Sequence, residues 1–286
     1  MMNTGLMKRA ISCSKYKNMP LFRKTYKTPD PRRFPSNSIV HAGISYGPDT
    51  ALLGHTQAGD PLLLRVAAQP HVLIAGASGS GKSSLMHAII LSLAAVSGHT
   101  QPRFAFIDVK RVEFNLYTAK AFPMALYPRP ACDLSDIRSK LKDLSKIIDS
   151  RYKLMEKRNA SLWDGQKVYI VIDELADLVI GHRDILADLI HICQIGRAAG
   201  VHVIAATQVP SRSTIPTLLQ VNMPCHIALR VSSPIESRII IGDAAATDLC
   251  SPGDLILDTA DGSRTIGHAD YYTRDDIARI LASMTN

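Results

Sequence analysis

No apolar run in the 286-residue sequence approaches the roughly 20 residues that cross a bilayer, and the N-terminus lacks the apolar core of a secretory leader. Together these absences exclude an integral membrane segment and predict a cytoplasmic protein. Cysteine is sparse. Cys13, Cys132, Cys193, Cys225 and Cys250 are odd in number and never spaced C-x-x-C, which excludes a disulfide framework and a zinc site. The ten histidines are dispersed, and the close pairs His191/Cys193 and Cys225/His226 have no further ligands nearby in sequence. The only metal expected is therefore one that arrives with a ligand. Acidic residues are missing from one region in particular. Residues 1–34 hold Lys8, Arg9, Lys15, Lys17, Arg23, Lys24, Lys27, Arg32 and Arg33 against the single acid Asp30, which accounts for the whole formal charge of +8. A basic arm precedes a neutral body, and its charge suits nucleic acid or an anionic membrane surface. Prolines at 20, 29, 31, 35 and 48 and the lack of periodicity make residues 1–50 arm and linker, leaving 51–286 as one domain.

What is present is a core, with 46% hydrophobic residues, and a glycine-rich landmark. The apolar run His71 to Ala75 breaks into Gly76-Ala77-Ser78-Gly79-Ser80-Gly81-Lys82-Ser83, which satisfies the phosphate-loop pattern. Glycine lets the backbone take positive φ and approach an anion, so that consecutive N–H groups face a phosphate. Lys82 then reaches the β- and γ-phosphates of ATP, Ser83 holds Mg²⁺, and Ser84 opens a helix whose positive end faces the ligand. The setting, a buried strand before and a helix over 84–96, is the one the pattern requires.

A second landmark is Val168-Tyr-Ile-Val-Ile followed by Asp173 and Glu174, a buried strand delivering two acids at its carboxyl end. Asp173 suits a magnesium ligand, and Glu174 suits a group that orients or deprotonates water. Strands are also predicted at 103–109, ending near Asp108, at 201–207, which delivers Thr207 and Gln208 beside Asp173, and at 226–231. An amide at Gln208 can touch the γ-phosphate or the attacking water. Hairpins are expected at 52–65 and 254–268. Helices are expected from Asp133 as a cap, with an apolar face at Leu134, Ile137, Leu141, Leu144, Ile148, Tyr152 and Met155, and at 185–195, 235–241 and 273–283. The opposite face of the first, with Arg138, Lys140, Lys142, Lys146, Arg151 and Lys153, should meet solvent or lie against a neighbouring subunit. The second should stop at Gly200 in a left-handed cap, and Thr273 and Asp276 are spaced as a capping box. Strands alternating with helices predict an α/β fold, a mostly parallel sheet with helices on both faces.

With these landmarks placed, the sequence resembles the motor domain of the FtsK/SpoIIIE family of DNA translocases. The likeness rests on PHVLIAGASGSGKS at 70–83, IDVKRVEFNLY at 107–117, SRYKLM at 150–155 and IVIDELADLV at 170–179. It continues through GRAAGVHVIAATQVPS at 196–211, NMPCHIALRVSSPIESR at 222–238 and GDLIL at 253–257. The resemblance implies a RecA-like P-loop NTPase, a hexameric ring of identical chains around double-stranded DNA, and ATP hydrolysis with Mg²⁺ between subunits; a recruiting partner protein is a further candidate partner, which the sequence does not identify. The resemblance places Lys82, Ser83, Asp173, Glu174 and Gln208 in the ATP site, and Arg197 and Arg238 near subunit boundaries, where either acts across the interface. Val109 stands where the family has proline, and Val209 where it has a basic residue. The membrane spans and winged-helix domain of large members are not found, so the expectation is a compact motor of the plasmid or phage kind, serving DNA transfer, replication or packaging. A secretion-type or conjugative coupling ATPase and a nucleotide-dependent DNA-binding protein with little turnover are the alternatives.

Overall fold

The computed structural model describes residues 47–95 and 101–284; the basic arm expected at 1–34 lies outside the described residues. The chain forms β1 (Thr50–Thr56), β2 (Pro61–Arg65), β3 (His71–Ala75), α1 (Lys82–Ala94), β4 (Arg103–Ile107) and α2 (Leu134–Arg158). β5 (Val168–Ile172), α3 (Leu175–Val179), α4 (Arg183–Ile195), β6 (Val201–Thr207), α5 (Thr217–Asn222) and β7 (Cys225–Leu229) follow. α6 (Pro234–Ile241), β8 (Asp254–Asp258), β9 (Arg264–Ala269) and α7 (Arg274–Met284) complete it. All nine strands share one sheet, in the order β2-β1-β9-β8-β7-β3-β6-β5-β4.

The α/β class holds, and the fold is RecA-like. Five strands, β7-β3-β6-β5-β4, are parallel, and β8, β9, β1 and β2 extend the sheet by antiparallel pairing. Both expected hairpins are there. β3 lies between β6 and β7, neither of them its neighbour in sequence, so its carboxyl end opens at a switch point of the sheet, where ligands bind in such folds. Alternation along β3 sends Val72 and Ile74 to the layer holding α1 and α7, and Leu73 and Ala75 to the layer holding α2, α4 and α6. Every residue of α1 except Ser83 is buried, as expected of a helix apolar on all sides. Among the described residues no helix is long and apolar enough to cross a membrane.

The helix α2 corrects two expectations. Its apolar stripe is buried as the spacing predicts, but Lys140 and Arg151 on the supposed solvent face are buried too, and Tyr152 on the stripe is partly exposed. Lys140 pairs with Asp136 at 2.8 Å and lies over the Tyr127 ring. Arg151 stacks on Trp163 and donates to the carbonyls of Ala199 (2.8 Å), Gly200 (3.2 Å) and Gln166 (2.7 Å), pinning α2 to the turn before β6. Long flexible stems let these cations reach partners that helical periodicity does not register. Asp133 occupies the cap position, yet its side chain goes to Arg111 instead of the helix N–H groups. α4 ends at Ile195 in a right-handed cap, and Gly200, at φ 66°, closes the turn after it. The capping box of α7 is present in both directions, Thr273 N to Asp276 at 2.9 Å and Asp276 N to Thr273 at 3.1 Å.

Candidate functional site

The loop between β3 and α1 is held from both sides by main chain. Gly76 N donates to Thr207 O, Ala77 N to Arg230 O, and Gly253 N to Ser80 O. Two glycines are required by contact, and Gly81 by conformation as well; Gly76, unlike Gly79 and Gly81, does not take positive φ. A Cβ at Gly76 would lie 2.4 Å from Ser80 Oγ, and one at Gly81, where φ is 98°, would lie 2.7 Å from Gly253 N. Beyond the loop opens a cavity of about 480 Å³ lined by residues 77–79 and 81–84, His87, Val112, Glu113, Leu116, Gln208, residues 268–272 and Arg274, among others.

Lys82, buried at the loop's end, donates to both the main-chain oxygen and Oδ1 of Asp173, each at 3.2 Å. Burial raises the Asp173 pKa above the ordinary carboxylate value; Lys82 opposes this, and Glu113 and Asp108 add to it. Glu174 is fixed more tightly. It caps α3 by accepting from Ala176 N, and it accepts from Thr207 Oγ1 at 2.7 Å and from Gln208 N at 3.2 and 3.0 Å. Lys82, Ser83 and Gln208 thus border the cavity, with Asp173 reached through Lys82 and Glu174 behind the Gln208 main chain. Ser84 borders it too, but its hydroxyl is committed to the wall, donating to Asp270 O and accepting from Tyr272 N. Gly76 and Ser80 shape the loop from beneath.

Arg197 and Arg238 do not join this group. Both are exposed and neither lines the cavity; Arg197 lies close enough to His71, the first residue of β3, for its charge to oppose protonation there. Of the two departures from the family pattern, Val109 packs against the core and Val209 is exposed.

Sequence reasoning missed a cluster on the cavity's other wall. Ser83 Oγ donates to Glu113 Oε2 at 2.8 Å, and Glu113 Oε1 meets His87 Nε2 at 2.7 Å. Behind His87 stands the buried hydroxyl of Tyr117, 2.8 Å from Nδ1. Burial would raise the Glu113 pKa, but the His87 bond and charge, the Ser83 hydroxyl and the Lys82 ammonium hold it below its ordinary value. Asp108 places Glu113 in turn, its Oδ2 accepting from the N–H groups of Glu113 and Phe114, both at 2.9 Å. The signal was there to use, since Asp108, Glu113 and Tyr117 all lie in the quoted stretch 107–117, but no pattern tied them to Ser83.

No ready-made cluster of three or more His, Cys, Asp or Glu ligands exists among the described residues. The chemistry nevertheless fits Mg²⁺, which takes one or two carboxylates, a hydroxyl and phosphate oxygens in place of an all-protein cage. Asp173 and Ser83 supply hard oxygen donors beside the loop, and Asp108 Oδ1 is buried with no hydrogen-bond partner.

Residues 43–166 match the FtsK/SpoIIIE family. The chain is 33% identical over 253 residues to the DNA translocase FtsK of Helicobacter pylori (strain J99), covering 83% of this chain and 30% of that protein. It is also 33% identical over 251 residues to the DNA translocase FtsK of Staphylococcus aureus (strain Mu50), covering 82% and 31%. The chain therefore spans about a third of the length of the curated relatives it matches. Among solved structures it resembles the pCW3 conjugation coupling protein TcpA with ATPγS, at TM-score 0.74 and 20% identity over 86% of this chain and 73% of that one. It also resembles the cytoplasmic domain of the Thermomonospora curvata type VII secretion ATPase EccC, at TM-score 0.72 and 22% identity over 88% and 33%.

Proposed function

We propose, from the premise that the chain carries a motor domain of the FtsK/SpoIIIE family, that it hydrolyses ATP with Mg²⁺ and uses the energy to move double-stranded DNA as a homo-hexameric ring. The observation that carries this reading is the convergence of Lys82, Asp173 and Glu174 behind one glycine loop, with Glu174 immobilised by Thr207 and the Gln208 main chain.

In this reading the loop N–H groups other than those of Gly76, Ala77 and Ser80, which are bonded within the protein, cradle the phosphates, and Lys82 leaves Asp173 for the γ-phosphate, freeing the Asp173 carboxylate. Ser83 and Asp173 would hold Mg²⁺, which would supply neutralisation of the charge developing on the phosphoryl oxygens. Glu174 accepts the proton of the attacking water at its carboxylate, and the Gln208 side chain at the cavity rim positions that water. An arginine from a neighbouring chain, Arg197 or Arg238, stabilises the transition state. Mixing Lys82→Ala chains with Arg197→Ala or Arg238→Ala chains restores activity if the altered arginine acts in trans, and restoration by neither mixture removes both.

The decisive measurement is ATPase activity of the purified chain alone, with linear duplex and with single-stranded DNA. Strong stimulation by duplex is expected. Equal rates in all three would overturn the DNA-motor reading and favour a secretion-type use of the same fold.

A further inference from the structure

The geometry points to Glu113 as a positioning residue that aims the Ser83 hydroxyl at the divalent cation, an inference that rests on the proposed nucleotide site. A hydroxyl has one hydrogen and two lone pairs. In the structure the hydrogen of Ser83 is taken by Glu113 Oε2 at 2.8 Å. Its lone pairs are thereby left for the cavity, where a cation beside the phosphates would need them. Without Glu113 the hydroxyl is a free rotor, and any orientation that turns its hydrogen into the cavity must be abandoned before a cation binds.

Glu113 is itself held against rotation. Ser83 and His87 stand one helical turn apart on α1, and the two carboxylate oxygens of Glu113 span them. His87 meets Glu113 Oε1 through Nε2 at 2.7 Å and the buried Tyr117 hydroxyl through Nδ1 at 2.8 Å, so the ring is held at both nitrogens and keeps the Glu113 carboxylate from turning. Asp108 fixes the main chain at Glu113 and Phe114. Four residues from two separate segments therefore converge on one hydroxyl. A carboxylate whose sole task was to anchor the 109–117 segment would have no need to reach the helix residue that also borders the phosphate cavity.

Outer partners of metal ligands are worth about 10- to 100-fold in metal affinity when removed. The test is affinity for a fluorescent ADP analogue, measured with Mg²⁺ and with EDTA, for the unaltered chain, Glu113→Ala and Glu113→Gln. The unaltered chain should bind more tightly with Mg²⁺. Glu113→Ala should lose about tenfold or more of that gain while its affinity in EDTA stays within about twofold. Glu113→Gln, which keeps one acceptor oxygen and the side-chain volume, should lose less. Mn²⁺ affinity of the ADP complex, read by electron paramagnetic resonance, should fall in the same order without any turnover being measured. An undiminished Mg²⁺ gain in Glu113→Ala overturns the inference, as does an equal loss in EDTA, which would make Glu113 part of the loop's scaffold alone. Failure of the unaltered chain to bind the analogue would instead sink the nucleotide-site reading and this inference with it.

Discussion

The parallel strands bury polar side chains at both ends, and the two ends use them differently. At the amino ends, His71 Nδ1 accepts from Val203 N, His202 Nδ1 donates to Pro70 O, Tyr169 donates to Asp49, and Arg151 is shared by three carbonyls. Most of these partners are main chain, so the groups tie segments together and are closed to a ligand. At the carboxyl ends, Lys82 holds Asp173 and Ser83 holds Glu113 beside an open cavity, with Glu174 behind it on Thr207 and the Gln208 main chain. A lysine on a carboxylate can be exchanged for a phosphate, whereas an arginine on three carbonyls cannot leave without stranding them. Burial of charge alone therefore does not mark a functional site; what marks it is whether the partners can be traded for a ligand's groups.

The sharpest contrast is expected from Glu174→Gln. The amide keeps the shape but cannot take a proton, so turnover should fall by on the order of 10² to 10⁴ while nucleotide affinity and melting temperature stay near their original values. Near-normal hydrolysis in this variant would remove Glu174 from the mechanism. Arg151→Ala should do the reverse. It strands three buried carbonyls and empties the space against Trp163, costing about 3 kcal/mol. For a domain of this size that is a drop of roughly 6–12 °C in melting temperature, with nucleotide affinity unchanged at temperatures where the fold persists. A loss of affinity at such temperatures would show that the two ends are not separable.

The smallest effect is in pH. Burial holds His71 down to about 3, helped by the His202 and Arg197 charges, and His202 down to about 4, so both stay neutral in the fold. The unfolded chain takes up these protons below about pH 6.5. The stability these neutral rings contribute is therefore complete above that value and declines as pH falls toward the folded values, by about 1.4 kcal/mol per pH unit for each histidine. His202→Gln should remove one proton's worth of that slope between pH 6 and 4.5 in denaturant titrations. An unchanged slope would mean that His202 is already protonated in the fold.

The contrast between the ends also explains what the sequence made legible. The glycine loop, Asp173-Glu174, Thr207-Gln208 and the capping box at Thr273 rest on spacings of a few residues, and local spacing survives in a one-dimensional string. The Ser83–Glu113 bond joins residues 30 apart and the Arg151–Ala199 bond residues 48 apart. Neither has a period, and both depend on how separate segments come to rest on the sheet. The same holds for the antiparallel extension. Both hairpins were readable from their turns, but the pairing of β1 with β9 that joins them to one sheet was not.

The contact between Gly81 and Gly253 makes the phosphate loop and the turn before β8 a mechanical joint. Main chain touches main chain there, with Gly253 N also bonded to Ser80 O, and no side chain lies between to yield. A rotamer can absorb a push of an ångström; two abutting peptide planes cannot. Any shift of the loop at Gly81 must carry Gly253 along, and with it β8, whose neighbours β7 and β9 are laddered on either side. Because β8 is laddered to β7 as well as to β9, the joint ties the phosphate loop to the seam between the parallel and antiparallel parts of the sheet.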